Sequence, residues 1–162
     1  MAAALQFHTT HLTEGRTRVI EVLEQEGNVA LGYTFQLVLN LMNFFDKCHA
    51  GKLEEATAVI ENLNLFPKTE EEVSWKVNTF HSLDRTVQQV LPQVMLATME
   101  CLYGLYNKFK SSRRQAPTIG ESVTQRLTEV SIRARLLAMF AGQIPISNDA
   151  RVKIVNIEAR MV

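Results

Sequence analysis

The chain is short of several things, and each shortage removes a class of protein. Only two of its 162 residues are cysteine, Cys48 and Cys101, and both fall inside apolar helical stretches. A secreted disulfide framework of this length usually carries more cysteines, evenly disposed, so the pair reads as buried, reduced thiols. No N-x-[ST] sequon occurs. The N-terminal MAAALQFHTTHLTEG has neither a long apolar run nor a basic leader region, so it is not a secretory signal. Asn, Gln or charge interrupts every apolar stretch well short of the ~20 residues that span a bilayer. Net charge is missing as well: 17 Lys and Arg balance 17 Asp and Glu. That balance argues against a protein that grips nucleic acid by neutralising phosphates, and against a polybasic membrane anchor. It leaves little self-repulsion, so a large assembly is tolerated. These absences predict a soluble, intracellular protein.

Strand signals are nearly absent, since no stretch alternates apolar and polar residues between turns. Helix signals are abundant. The most informative stretch is Tyr33 to Pro67, YTFQLVLNLMNFFDKCHAGKLEEATAVIENLNLFP, which reads as two helices folded back across a turn at Gly51. Leu37, Val38, Leu41, Met42, Phe44 and Phe45 mark one apolar face; Leu53, Ala56, Val59, Ile60 and Leu63 mark the other. Gly51 takes the left-handed conformation that closes a helix, and Pro67 follows the second helix, where a residue without an amide donor cannot extend it. Such a hairpin cannot bury both faces alone, so it calls for neighbours stacked on it, as in an α-solenoid.

The remaining elements follow from caps and periodicity. A first helix is expected over Arg16–Glu26, broken by Gly27-Asn28. Thr69 with Glu72 is a capping box opening a helix that carries Val73, Trp75, Val77 and Phe80. Ser82 or Asp84 starts the longest element, Leu83 to about Lys110. Its seam is Val87, Leu91, Val94, Met95, Met99, Leu102, Tyr106 and Phe109, and Pro92 either kinks it or marks its start. Residues 111–118, SSRRQAPT, read as a loop. Thr118 and Glu121 form a second capping box, ahead of a seam at Val123, Leu127, Val130, Ala134, Leu137 and Ala141. Gly142 ends that helix. Ser147-Asn148-Asp149 caps a last one, Ala150–Arg160, with Val152, Val155 and Ala159 on one face. The prediction is an all-α chain of about seven helices, an antiparallel stack joined by short loops.

Nothing in the chain is poised for chemistry. There is no Gly-rich phosphate loop, no H-E-x-x-H and no G-x-S-x-G. His8 and His11 are three apart, but a metal site needs further ligands and no Cys or acidic cluster lies near them in sequence. Asp46 and His49 read as a surface pair at a helix C-terminus. Cys48 and His49 project about 100° apart on a helix, so they are not a thiol–imidazole pair. The basic cluster Lys108, Lys110, Arg113 and Arg114 reads as the solvated end of a helix, with a nucleic-acid or import-receptor role as the sharper alternative. Trp75, the single tryptophan, reads as core ahead of partner anchor. No catalytic, cofactor-binding or metal-binding residue is assigned.

Three ordered segments carry a resemblance. FQLVLNLMNFFDKCHAGKLEEATAVIENLNLFP is followed by QQVLPQVMLATMECLYGLYNKFK and, beyond the SSRRQAPT loop, by RARLLAMFAGQIPISNDARVKIVNIEARMV. Their order and spacing resemble the C-terminal tail of the nucleoporin-interacting-component family, the inner-ring scaffold nucleoporin of the nuclear pore. The resemblance covers Leu31 to Val162 and leaves residues 1–30 poorly matched. The chain therefore divides into 1–30, with one helix, and a tail module over 31–162 with the 111–118 linker inside it.

The resemblance implies an ancestral coatomer element fold, a U-shaped helical solenoid. It also implies a structural, non-enzymatic role in nuclear pore assembly and nucleocytoplasmic transport at the nuclear envelope, with other scaffold nucleoporins as partners. Family members are several times longer. Their N-terminal partner-binding segments have no counterpart here, so those contacts map onto no residue of this chain. It is expected to be a C-terminal fragment, a partial gene model or a divergent stand-alone tail. A solenoid cut across its repeats exposes apolar core, which points to Val19, Ile20, Val22 and Leu23 as a partner-binding face and to self-association of the isolated chain. The rival reading is a generic helical adaptor or vesicle-coat solenoid fragment acting in protein–protein interaction.

Overall fold

The computed structural model describes Gly15, Thr17 and residues 33–115 and 120–161. Among them are six helices and no strand: α1 Tyr33–His49, α2 Leu53–Leu63, α3 Glu72–Ser82, α4 Arg85–Gln115, α5 Gly120–Ala141 and α6 Asn148–Ala159. The count is six against the expected seven. The helix read at Arg16–Glu26 lies outside the described residues, apart from Thr17. So do His8, His11, the Thr118 cap and the Val19, Ile20, Val22, Leu23 face.

The helix ends show why the chain breaks where it does. Gly51 has φ +75°; its amide donates to the Cys48 carbonyl at 3.0 Å and the Lys52 amide to that of Lys47 at 2.9 Å. These are the two bonds of a Schellman closure, and they turn α1 directly into α2. Asn64, with φ 56°, closes α2 in the same left-handed region. Its short amide side chain makes that conformation accessible, so α2 stops before Pro67 is reached. The Thr69 hydroxyl accepts the Glu72 amide at 3.2 Å, Asp84 accepts the Thr86 amide at 2.9 Å, and Ser147 accepts the Ala150 amide at 3.2 Å. Each satisfies an amide that the helix leaves without a partner.

The longest element starts where expected, behind the Asp84 cap, and departs from expectation at its end. Helix α4 begins before Pro92, and Pro92 lies inside it. At the other end it continues through Ser111, Ser112, Arg113, Arg114 and Gln115, residues read as loop. All five are exposed, so no apolar period marks them, and a polar, solvated helical turn cannot be told from a loop by pattern.

Helix α4 is also the hub of the packing, touched by α1, α2, α5 and α6. Its expected seam is buried, with Tyr106 half-buried. Between Val94 and Leu102 the burial is complete all round, taking in Leu96, Ala97, Thr98, Glu100 and Cys101 as well. A helix covered on every side keeps no polar face for a periodicity argument to find. Around it gather Leu41, Phe44 and Phe45 of α1, Ala56 and Ile60 of α2, Ala134, Leu137 and Phe140 of α5, and Ile154 and Ile157 of α6, all in one cluster. Gly104 sits where Leu53 presses on α4; a Cβ there would lie 2.6 Å from Leu53 Cδ1. Gly15 approaches α1 in the same way, within 2.5 Å of Phe45 Cε1 for an added Cβ.

Candidate interaction surface

Two carboxylates on α2 are seven residues apart, and so are two guanidinium groups on α5. Glu54 faces Arg126 at 3.5 Å, and Glu61 pairs with Arg133. Because the pairs run in the same order along both helices, α2 and α5 run parallel, side by side across α4. Lys108 of α4 joins Glu54 at 3.6 Å, and the Arg126 guanidinium lies 5.1 Å from the Phe109 ring centroid. These groups are about half-exposed, so each pair is worth little alone, ~0–1 kcal/mol. Their matched spacing does, however, fix the register of the two helices. That signal was present in the sequence and carried no meaning until α2 and α5 were known to be neighbours.

Beneath the Glu61–Arg133 pair is a cavity of about 330 Å³. Ile60, Phe66, Leu102 and Leu137 line it, and Lys68 and Asn64 stand at its edge. Phe66 is held by an inclined ring contact with Phe140, 5.9 Å between centroids. The Asn64 carbonyl accepts Lys76 Nζ at 2.6 Å, which fixes the α2–α3 turn.

The residues considered for chemistry are dispersed. Cys48 and Cys101 are buried, with their Sγ atoms 3.1 Å apart. The hydrogen bond to Cys101 and then burial push the Cys48 thiol far above its usual range. His49 is exposed on another side of α1. Of the basic cluster, Lys108 pairs with Glu54, Lys110 lies 5.6 Å from the Tyr106 ring centroid, and Arg113 and Arg114 occupy the last turn of α4. Among the described residues no three His, Cys, Asp or Glu side chains converge as a metal site would require. No described helix is long and apolar enough to cross a membrane.

Two apolar readings are corrected. Trp75 is 65% exposed on the outer face of α3, whose inner face is Val73, Lys76 and Phe80. Val152 and Val155 lie on the outer face of α6, which buries Ala150, Ile154 and Ile157 instead. Two overlapping apolar periods exist in so short a helix, and the one that is buried is Ala150, Ile154 and Ile157. Together with exposed Ile132 and Met139, one heptad apart on α5, these residues leave apolar surface on the outside of the stack.

Helices layered on a shared central helix, with ion pairs and apolar side chains on the outside, define an all-helical stack among the described residues. A family model described as Nup93/Nic96 matches residues 10–153, and the chain belongs to this family. It is 35% identical over 138 residues to the nuclear pore complex protein Nup93 of Danio rerio, across 83% of this chain and 17% of that protein. To Nup93 of Xenopus tropicalis it is 34% identical over 137 residues, across 82% of this chain and 16% of the other. With Nup93-1 of Drosophila melanogaster it shares 30% identity over 95 residues, 59% of this chain and 12% of that one. The chain thus spans about a sixth of the length of the first two relatives.

Proposed function

We propose that this chain is a structural, non-enzymatic module of a scaffold nucleoporin, acting at the nuclear envelope as a tail segment of the nuclear pore framework and so supporting nucleocytoplasmic transport. The observation that carries this reading is the family match across residues 10–153, joined to an all-helical stack among the described residues. Its partners in this reading are other scaffold nucleoporins. Val19, Ile20, Val22 and Leu23 are the partner-binding residues in this reading, and in the isolated chain they drive self-association. The test is fluorescence microscopy of the tagged chain with mass spectrometry of what co-purifies in mild salt. A nuclear rim and scaffold nucleoporins are expected. Vesicle puncta with coat components would replace this reading by that of a trafficking adaptor.

A further inference from the structure

The cavity between α2 and α5 has a composition that selects its occupant. Its apolar wall is Ile60, Phe66, Leu102 and Leu137. Two hydroxyls also line it, but both have committed their protons. Thr57 donates to the Leu53 and Glu54 carbonyls at 3.1 and 2.9 Å, and Thr98 donates to the Val94 carbonyl at 2.7 Å. Neither is free to donate to a polar ligand, so the polar lining left to meet one is Asn64, Lys68 and the Glu61–Arg133 pair. An apolar group entering it gains by leaving water. The volume, about 330 Å³, is near the lower end of ligand sites, which run from roughly 300 to 1,000 Å³. That is room for one or two large side chains and too little for an extended cofactor.

The edge supplies the charge. Glu61 is engaged by Arg133, so the pair is neutral as a unit. Lys68 is exposed and ion-pairs with no acidic side chain among the described residues. Among the lining residues, the charge without an ion-pair partner is therefore positive, next to an apolar wall.

We propose that this cavity is a docking pocket for a single bulky apolar side chain on a partner protein segment, with a carboxylate beside it that meets Lys68. The pocket is bounded by α4, α2 and α5, with Phe66 packed against Phe140. An anchor side chain entering such a site is the usual form of an interface hot spot, with the charged neighbour at the rim setting orientation. The proposal is independent of residence at the nuclear pore, since it concerns the chain in solution.

The test is amide chemical-shift titration of the isotopically labelled full chain with the blocked tripeptide acetyl-Asp-Phe-Asp-amide. Saturable shifts are expected at Ile60, Phe66, Lys68 and Leu137. Acetyl-Asp-Ala-Asp-amide should leave them unmoved, and acetyl-Asn-Phe-Asn-amide should bind about threefold more weakly, the size of effect an exposed charge pair supports. Lys68→Glu, an exposed substitution outside every helix, should abolish the preference for the acidic peptide and favour acetyl-Lys-Phe-Lys-amide. Shifts that do not saturate, that map elsewhere, or that are indifferent to peptide charge and to Lys68→Glu would overturn the proposal.

Discussion

The Sγ atoms of Cys48 and Cys101, 53 residues apart in sequence, meet at 3.1 Å in the buried contact between α1 and α4. Deprotonating either one places a thiolate in an apolar site beside a second sulfur, which is why the Cys48 thiol is held well above its ordinary range. In native protein at neutral pH both thiols should resist alkylation, and denaturant should release two reactive thiols per chain. Mass spectrometry after brief iodoacetamide treatment reads this directly. Native labelling at the rate of a free thiol would show that the contact is not closed.

The same pair has a pH signature. A thiol whose folded-state value is raised stays protonated in the native state while the unfolded chain ionises near its ordinary pKa, about 8.5. Stability should therefore be unaffected by these groups below about pH 8 and fall as pH rises beyond the unfolded value, because only the unfolded state then releases the proton. Replacing both cysteines with alanine should flatten that alkaline decline. Melting temperature measured from pH 7 to pH 10 on both proteins makes the comparison.

Phe140 is fully buried and packed on Phe66, so Phe140→Ala should destabilise the fold by ~3–5 kcal/mol. Leu137→Ala should cost ~2–5 kcal/mol for the same reason, since Leu137 is also core. Ser111→Ala, on the exposed last turns of α4, should change stability by less than ~0.5 kcal/mol. Equal effects at Phe140 and Ser111 in urea titrations would mean that the core is misplaced.

Trp75 supplies a spectroscopic check, being the only tryptophan and largely exposed. Native emission should lie close to that of indole in water and be quenched readily by iodide. Trp75→Ala should leave stability within ~0.5 kcal/mol. A blue-shifted, quencher-resistant native emission would put the side chain back in a core.

Helix existence was legible in the sequence; what each helix faces was less so. The Gly51 turn and the Thr69, Asp84 and Ser147 caps were readable because a single side chain or a missing Cβ decides each one. The seams of α1, α2 and α5 were readable because those helices are half-buried and keep a polar side. The centre of α4 lost its signal through burial on every side, and its exposed end lost it through having no apolar residue at all. Trp75 stands outside the core because the exposure of one side chain depends on tertiary neighbours that residue type does not reveal. The Cys48–Cys101 contact and the α2–α5 ion pairs needed the fold itself, since each joins residues more than fifty positions apart.

Val19, Ile20, Val22 and Leu23 lie outside the described residues, and their role as a docking face is a proposal with its own test. The isolated chain should self-associate, and Val19→Glu with Leu23→Lys should shift it toward monomer without lowering its melting temperature. Light scattering alongside thermal melting measures both. A wild-type chain that stays monomeric at high concentration would remove the physical basis for that face.

Helix α4 is in contact with α1, α2, α5 and α6, so four of the other five described helices share it, while α3 packs on α5. In a linear array of repeats each layer touches only its neighbours, and unravelling can start at an end and travel inward. Here none of α1, α2, α5 and α6 can peel away without stripping cover from the same central element. Tension applied to any of those four helices is therefore passed to α4 and shared with the others, which makes the module a firm stop against which a more pliable chain of repeats could flex.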